Sequence, residues 1–358
     1  MNIAEFHNAL MKLMPSEYSD KDFREHLRTI LNEYKKLLLE LDKDARPEDW
    51  DSIVLSVNSS VQTINEIIRY YYDGQHSKAY MMLKGLMINK IPKIAMIMPE
   101  GQKYYRMRVM DSKKELSHKE LFHIPFDKRG IFKTQRYSMP GLPCLYISDS
   151  VYGCWEEMGR PNLNQCYVSQ LESQERLCLV DLTCPFLEDW LDAYGGKHRL
   201  HDVLPRIPII IASMVKVKND NDVFKPEYII PQLIMEMVVN RNNKERGLQT
   251  IGVYYTSVHN SDDLHFAPHD MRNKMNNIAV PPQSTLRGKY CKILCNKFTI
   301  TDPTCDELEQ AKTAGYQVSV KTGNLDQQNY PYANSVFGQL EKRLSNRNLF
   351  PLHKVKSQ

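Results

Sequence analysis

The sequence predicts an α+β protein, with an N-terminal helical bundle followed by a domain built on a β-sheet. Two patterns carry this prediction. Apolar residues recur every three or four positions through the first ninety residues, and short apolar runs typical of strands begin after them. A length of 358 residues is enough for one large or two ordinary domains with buried cores. We expect a bundle at residues 1–95, a sheet domain at 96–300 and an appendage at 301–358.

The helical prediction depends on two long stretches. In "DFREHLRTILNEYKKLLLELDKD" the three- and four-residue steps place the apolar side chains on one helix face. The same spacing runs from Trp50 to Ile68. A third helix is expected from Ser77 to Met87, after a break at Asp73–Gly74. Three or four such helices are typical of an antiparallel bundle.

The sheet prediction depends on short runs of apolar and β-branched residues separated by loops and single helices. Continuous apolar runs of this length are typical of strands buried on both faces. One longer stretch, "PEYIIPQLIMEMVVNR", is predicted to be a helix with Pro231 in its first turn. The predicted strands are "KYYRMRV", "CLYIS", "RLCLVDL", "IPIIIASMVKV", "TIGVYYTS" and "KYCKILCNKFTI".

Composition excludes several classes of protein. A net charge of +4 is too small to indicate a nucleic-acid partner, and no apolar run approaches the roughly 18 residues of a membrane span. The segment "MNIAEFHNALMKLMP" lacks the basic and then apolar order of a signal peptide, so we expect a cytoplasmic protein with no membrane partner. None of the eight cysteines has C-x-x-C spacing, which favours reduced cysteines in the core over zinc or redox chemistry.

Two adjacent acids mark the first candidate site. Glu156 and Glu157 lie on a short helix that leaves the strand "LYIS", is capped by Asp149 or Ser150 and ends near Gly159. At about 100° per residue, Glu157 borders the apolar stripe of this helix, whereas Glu156 points further toward water. A carboxylate at such a border is partly desolvated and directed into a cleft. The alternative is a surface helix whose acids are only solvated.

Cationic and hydroxyl side chains mark the other candidates. Arg106 and Arg108 lie on one face of a strand and suit a diphosphate or a carboxylate, unless they are surface residues of an edge strand. Arg136 ends the basic part of the loop "DKRGIFKTQRYSMPGLP". Thr256 and Ser257 stand at the C-terminal end of a buried strand, where a hydroxyl is either a ligand-binding group or a turn residue.

These motifs occur in a specific order. An arginine in "YYRMRV", a glutamate in "LYISDSVYGCWEE" and a serine in "IGVYYTS" together resemble the RES domain, a family named for those three residue types. The segments "RYSMPGLPCLYIS" and "YIIPQLIMEMVV" resemble further parts of the family pattern. The resemblance extends over about residues 100–260.

The resemblance implies a mixed-sheet domain like that of ADP-ribosyltransferases, with a catalytic set of Arg106, Glu157 and Ser257. The family's tyrosine eleven residues before its glutamate corresponds to Tyr146, which selects Glu157 over its neighbour.

Three residues are the expected substrate-binding groups: Tyr146, Arg108 and Arg136. The long segment between Arg106 and Arg136 departs from the family pattern, so Arg108 remains a rival for the motif arginine.

The family's toxins destroy cellular NAD, so the resemblance also implies a chemistry. The expected enzyme cleaves the nicotinamide–ribose bond, with NAD as substrate and without a cofactor. Water, phosphate or a protein acceptor would make it an NAD glycohydrolase, an NAD phosphorylase or an ADP-ribosyltransferase, and the sequence does not choose among them. The implied context is a bacterial toxin–antitoxin or antiphage defence system with a protein inhibitor as partner. Oligomeric state stays open.

Three other functional interpretations of the sequence compete with an NAD-cleaving enzyme. Arg69 and His76 have the R-x6-H spacing of HEPN ribonucleases, whose bundles are similar to the N-terminal region, although Asp73–Gly74 interrupts the helix between them. A metal hydrolase would use His259, His265 and His269, but Pro268 opposes the helix that such a pair needs. A non-catalytic nucleotide sensor would keep Arg106 and Ser257 and make no use of the glutamate in turnover.

Overall fold

The computed structural model describes residues 1–89, 94–112, 114–131, 133–184, 197–242, 250–259, 274–283, 288–316 and 332–352. Its contacts define two compact units. The helical unit comprises Met1–Met96, Gln135–Tyr137 and Val180–Asn240. The sheet unit comprises Ile97–Thr134, Ser138–Leu179 and Arg241–Gln358.

The described helices are α1 (Ile3–Met11), α2 (Phe23–Leu39), α3 (Trp50–Tyr72), α4 (His76–Asn89), α5 (Val151–Glu157), α6 (Lys197–Val203), α7 (Ile207–Ser213), α8 (Ile229–Asn242), α9 (Lys292–Lys297), α10 (Asp306–Thr313) and α11 (Val336–Leu344). The described strands are β1 (Ala95–Met98), β2 (Lys103–Val109), β3 (Leu145–Ser148), β4 (Cys166–Ser173), β5 (Leu177–Leu182), β6 (Thr250–Thr256), β7 (Asn276–Val280), β8 (Phe298–Thr301) and β9 (Leu349–Pro351).

The helical unit confirms the predicted N-terminal helices. Asp22 caps α2 by accepting from the Arg24 amide, and the predicted apolar face from Phe23 to Leu38 is buried. Gly74 adopts a positive φ of 73° between α3 and α4, a conformation that glycine reaches without strain. Burying each large aliphatic side chain on these faces contributes about 1.5–3 kcal/mol to folding.

Two predicted strands are wrong. The run "IPIIIASMVKV" forms α7, and "KYCKILCNKFTI" forms α9 before its last residues enter β8. Every residue of α7 is buried, so its sequence has no polar face. A short apolar run of this kind has no periodicity that distinguishes a buried helix from a buried strand.

The domain boundaries differ from the predicted ones in two places. Residues Val180–Asn240 group with the helical unit, although they lie within the predicted sheet domain. The predicted appendage begins at Thr301, which is the last residue of β8. The described part of that segment adds β9 and α11 to the sheet unit.

The strands form a nine-stranded sheet in the order β1-β5-β6-β7-β3-β2-β4-β8-β9, which confirms the predicted α+β class with N-terminal helices. All residues of β6 and β7 are buried. β3 pairs antiparallel with β7, and β7 with β6, so these three strands carry the centre of the sheet unit. β2 pairs with β4 at seven positions but with β3 at Tyr105↔Ser148 alone. The ladder between β2 and β3 is therefore limited to one residue pair in the described chain.

In the part of the chain that the structure describes, no helix combines the length and the apolar character that crossing a bilayer requires.

Candidate functional site

Helix α5 begins directly after β3 and is held close to the sheet. The Ser150 side chain caps the helix by accepting from the Gly153 amide at 2.8 Å. A Cβ atom at Gly153 would lie 2.3 Å from the Ser148 hydroxyl oxygen and 2.8 Å from the Lys274 carbonyl oxygen. Glycine at this position is what allows α5 to approach the strand so closely.

The carboxylate of Glu157 is fixed by two neutral donors at the other end of α5. The Ser257 hydroxyl donates to Oε2 of Glu157 at 2.6 Å, and the Asn277 amide donates to the same oxygen at 3.0 Å. Ser257 follows β6 and Asn277 lies on β7, so two adjacent strands orient one carboxylate. In the described chain Oε1 of Glu157 has no hydrogen-bond partner, and this oxygen is free to accept from a ligand.

Glu156 has a different environment from the predicted one. It was expected to point toward water, but it is only 2% exposed and its carboxylate accepts from Arg160 Nε at 3.0 and 2.9 Å. Beyond α5 the chain turns back through Gly159 and Arg160, both with positive φ. This turn returns the guanidinium group to Glu156, and helix periodicity does not contain that information.

Arg106 lies on β2, next to the residue Tyr105 that pairs with β3. One guanidinium nitrogen donates to the Tyr146 carbonyl oxygen on β3 at 2.5 Å. Burial lowers the Arg106 pKa to about 10, so the side chain stays cationic at neutral pH. Its other guanidinium nitrogens have no described protein partner. Arg108 is exposed and donates to the Glu120 carbonyl oxygen at 3.2 Å.

The thiol of Cys154 on α5 is buried and hydrogen-bonded to β2. This buried thiol donates to the Tyr105 carbonyl oxygen at 3.2 Å. Burial raises its pKa, and the charges of Arg106 and Glu157 act on it in opposite directions. Both charges therefore act on this buried thiol.

The remaining predicted residues have separate positions. The Tyr146 hydroxyl pairs with the Ser138 hydroxyl at 2.8 Å, which orients the ring. Arg136 belongs to the helical unit, where it donates to the Ser213 carbonyl oxygen at 3.0 Å and lies over the Tyr228 ring. A substrate-binding role for Arg136 stays a prediction.

Sequence reasoning missed Asn277. The run "NNIAV" places two amides at the start of an apolar strand, much as Thr256 and Ser257 end theirs. Recognising β7 as a strand would have made Asn277 a candidate. The side chain of its neighbour Asn276 points to the opposite face of β7. There its amide nitrogen donates to the Tyr254 hydroxyl and its amide oxygen accepts from the Thr256 hydroxyl.

The rival sites have little support in the described residues. His259 is exposed and its backbone amide donates to the Ser257 hydroxyl, while His265 and His269 lie outside the described residues. The described residues contain no group of three side chains arranged to bind a metal ion. Arg69 and His76 are both exposed in the helical unit.

Comparison with known proteins finds a bacterial relative. No protein-family model and no solved structure matches the chain. The chain is 30% identical over 303 residues to a protein of Bacillus subtilis (strain 168) named "Putative toxin YopC". The similarity covers 78% of this chain and 66% of that protein, so the chain spans just under two thirds of the relative's length.

Proposed function

We propose that the sheet unit is an NAD-consuming enzyme that cleaves the bond between nicotinamide and ribose. The single observation that supports this most strongly is the Glu157 carboxylate, with Oε2 held by Ser257 and Asn277 and with Oε1 available to a ligand. Two residues of the predicted set, Glu157 and Ser257, are hydrogen-bonded to each other, which supports the proposal.

The chemistry follows from charge. As the nicotinamide–ribose bond breaks, its electron pair leaves with neutral nicotinamide and the ribose acquires oxocarbenium character. A fixed carboxylate close to the ribose stabilises the positive charge as it develops. Because Ser257 and Asn277 are already bonded to Oε2, the carboxylate needs little reorganisation during the reaction.

Arg106 and Tyr146 supply binding groups in this proposal. The remaining guanidinium N–H groups of Arg106 suit the diphosphate of NAD, since charged hydrogen bonds to phosphate are strong and directional. The ring of Tyr146, oriented through Ser138, is suited to stack on a flat base. Ser257 is assigned here to orienting Glu157 and not to direct contact with the ribose.

A toxin role is part of the same proposal. The named relative in Bacillus subtilis carries the word toxin in its name, and loss of NAD is harmful to any cell. A protein inhibitor is the partner that such an activity requires in the cell that makes it. A bacterial toxin–antitoxin or defence system is the context we propose.

The test is direct product analysis. Purified full-length protein is incubated with NAD, with and without inorganic phosphate, and the products are identified by mass. We expect nicotinamide together with ADP-ribose, or with its phosphate ester when phosphate is the acceptor; ADP-ribose attached to the protein indicates transfer. Intact NAD after prolonged incubation, at enzyme concentrations equal to the substrate, would refute the proposal.

A further inference from the structure

The C-terminal part of the sheet unit contacts the helix that carries Glu157. Helix α11 contributes Glu341, which is only 9% exposed. Its Oε1 accepts from the backbone amide of Val151, the first residue of α5, at 2.8 Å. The two residues are 190 positions apart, so this contact joins the end of the chain to the start of the short helix.

The Glu341 carboxylate is itself held in place. The Tyr332 hydroxyl donates to Oε1 at 2.5 Å, and the Lys274 ammonium group lies 3.7 Å from Oε2. Burial raises the pKa of Glu341, while Lys274, Tyr332 and the Val151 amide oppose that rise. A buried acid with partners on three elements has one orientation available to it.

Apolar contacts place α11 beside α5 at a second point. The Phe337 ring lies 5.4 Å from the Tyr152 ring and 5.2 Å from the Trp155 ring, measured between centroids. Gly338 allows the turn at Tyr332 to lie against the start of α11, because a Cβ there would lie 2.3 Å from the Tyr332 carbonyl oxygen. Polar and apolar contacts from one helix thus fix both turns of α5.

We infer that Glu341 is a positioning residue for Glu157, acting through the first amide of α5; this inference rests on the function proposed above. Helix α5 has seven residues, so a change of tilt at Val151 moves Glu157 at its other end. Glu157 meets Ser257 and Asn277 only when that tilt is correct. The segment predicted to be an appendage therefore belongs to the candidate active site.

The experiment compares Glu341→Leu, which removes the acceptor at similar size, with Glu341→Gln, which keeps an acceptor oxygen. Glu156→Gln is the matched control, since it alters a buried acid on α5 that does not contact Val151. Hydrogen exchange of Val151–Glu157 and of β4, together with kcat and KM for NAD, is measured on the full chain.

We expect Glu341→Leu to speed exchange in α5 by about tenfold and to leave β4 within about twofold, because the buried Val151 amide loses its acceptor. kcat should fall about tenfold or more with KM within about threefold, because the lost interaction affects reaction and not binding. Glu341→Gln should recover most of both quantities.

Two results would overturn the inference. One is that α5 of the Glu341→Leu variant exchanges its amide hydrogens at the wild-type rate. The other is that exchange in this variant is accelerated equally in α5 and β4, which would mean that the whole sheet unit is destabilised. If the wild-type protein releases no nicotinamide, the proposed function fails, but the exchange contrast still decides whether Glu341 fixes α5.

Discussion

Two regions of this protein carry residues whose spacing suggests catalysis, and they are built differently. In the helical unit, Arg69 lies over the ring of Tyr70 and His76 stacks on Tyr71, so each contacts a neighbour within the α3–α4 hairpin. In the sheet unit, Glu157 is bonded by side chains 100 and 120 positions away in sequence.

The difference shows how a functional site differs from two residues that merely have a suggestive spacing in the sequence. Both members of the Arg69–His76 pair are exposed, and in the described chain no hydrogen bond joins them. Glu157 has its orientation imposed by two strands and leaves one oxygen for a ligand. Convergence of distant residues on one oriented functional group is what catalysis requires.

The largest expected effect is at Glu157. Glu157→Gln keeps an oxygen that accepts from Ser257 and Asn277 but removes the negative charge that, in the proposed reaction, stabilises the developing cation. We expect nicotinamide release to fall at least about 100-fold while NAD still binds, since loss of one fixed electrostatic group costs roughly this much. Turnover by mass analysis and binding by calorimetry measure the two quantities.

Glu156→Gln is the control for that experiment. The residue is adjacent and buried, yet its carboxylate bonds Arg160 and not the Ser257–Asn277 pair. Turnover within about threefold of wild type is expected, because only an ion pair with an exposed partner is lost. Equal losses in both variants would mean that the short helix, and not the Glu157 carboxylate, matters.

The second effect is at Asn277. Asn277→Ala removes one of the two donors to Oε2, and we expect kcat to fall about tenfold, the equivalent of one hydrogen bond to a charged group. Asn277→Asp is nearly isosteric but places a second carboxylate against Oε2, so its loss should be larger than that of alanine. Steady-state kinetics measure both, and an aspartate variant more active than the alanine variant would contradict this role.

Much of the fold could be predicted because its signals are local. The spacing of apolar residues located α2 and α3, and the strand-like runs located β2, β3 and β6. The prediction was wrong at α7 because a fully buried helix has no polar face, and the periodicity of apolar and polar residues depends on that face.

The site could be predicted only in part. The order of the motifs selected Glu157 and Ser257, which the structure brings into contact. Asn277 was not found, because its role depends on the register between β6 and β7, where Tyr255 pairs with Asn277. The ion pair of Glu156 with Arg160 follows a turn in which Arg160 has a positive φ, and a helix pattern does not contain this turn.

A third expected effect is on stability and concerns Asp149 in the sheet unit. Asp149 precedes the cap of α5; its Oδ2 accepts from the Tyr254 hydroxyl, and its buried Oδ1 has no partner in the described chain. Burial raises the Asp149 pKa to about 7. Between about pH 4 and pH 7 the folded protein therefore holds a proton that the unfolded chain has released, and stability falls as pH rises through this range.

Asp149→Asn removes this titration and resembles the protonated form. Between pH 5 and pH 8 the free energy of unfolding of the wild type should fall by about 3 kcal/mol relative to that of the variant. Urea unfolding of both proteins across that range measures the difference. Parallel curves would show that Asp149 is ionised throughout and that its environment is more polar than its burial indicates.

The smallest expected effect is at His76, and it tests the other half of the comparison. His76→Ala removes one exposed ring that stacks on Tyr71 at 4.3 Å between centroids. Nicotinamide release should stay within about twofold of wild type, as is usual for surface substitutions. Arg69→Ala should behave in the same way, since its guanidinium group leans on the neighbouring Tyr70 ring.

The same two variants decide the ribonuclease reading when RNA is the substrate. If wild-type protein cleaves RNA and His76→Ala abolishes cleavage while NAD turnover is intact, the helical unit has its own chemistry and the contrast drawn here fails. If the wild-type protein consumes NAD but does not cleave RNA, the result supports Glu157, and not the Arg69–His76 pair, as the catalytic group. The spacing of Arg69 and His76 would then reflect only the geometry of the α3–α4 hairpin, whose turn requires the positive φ of Gly74.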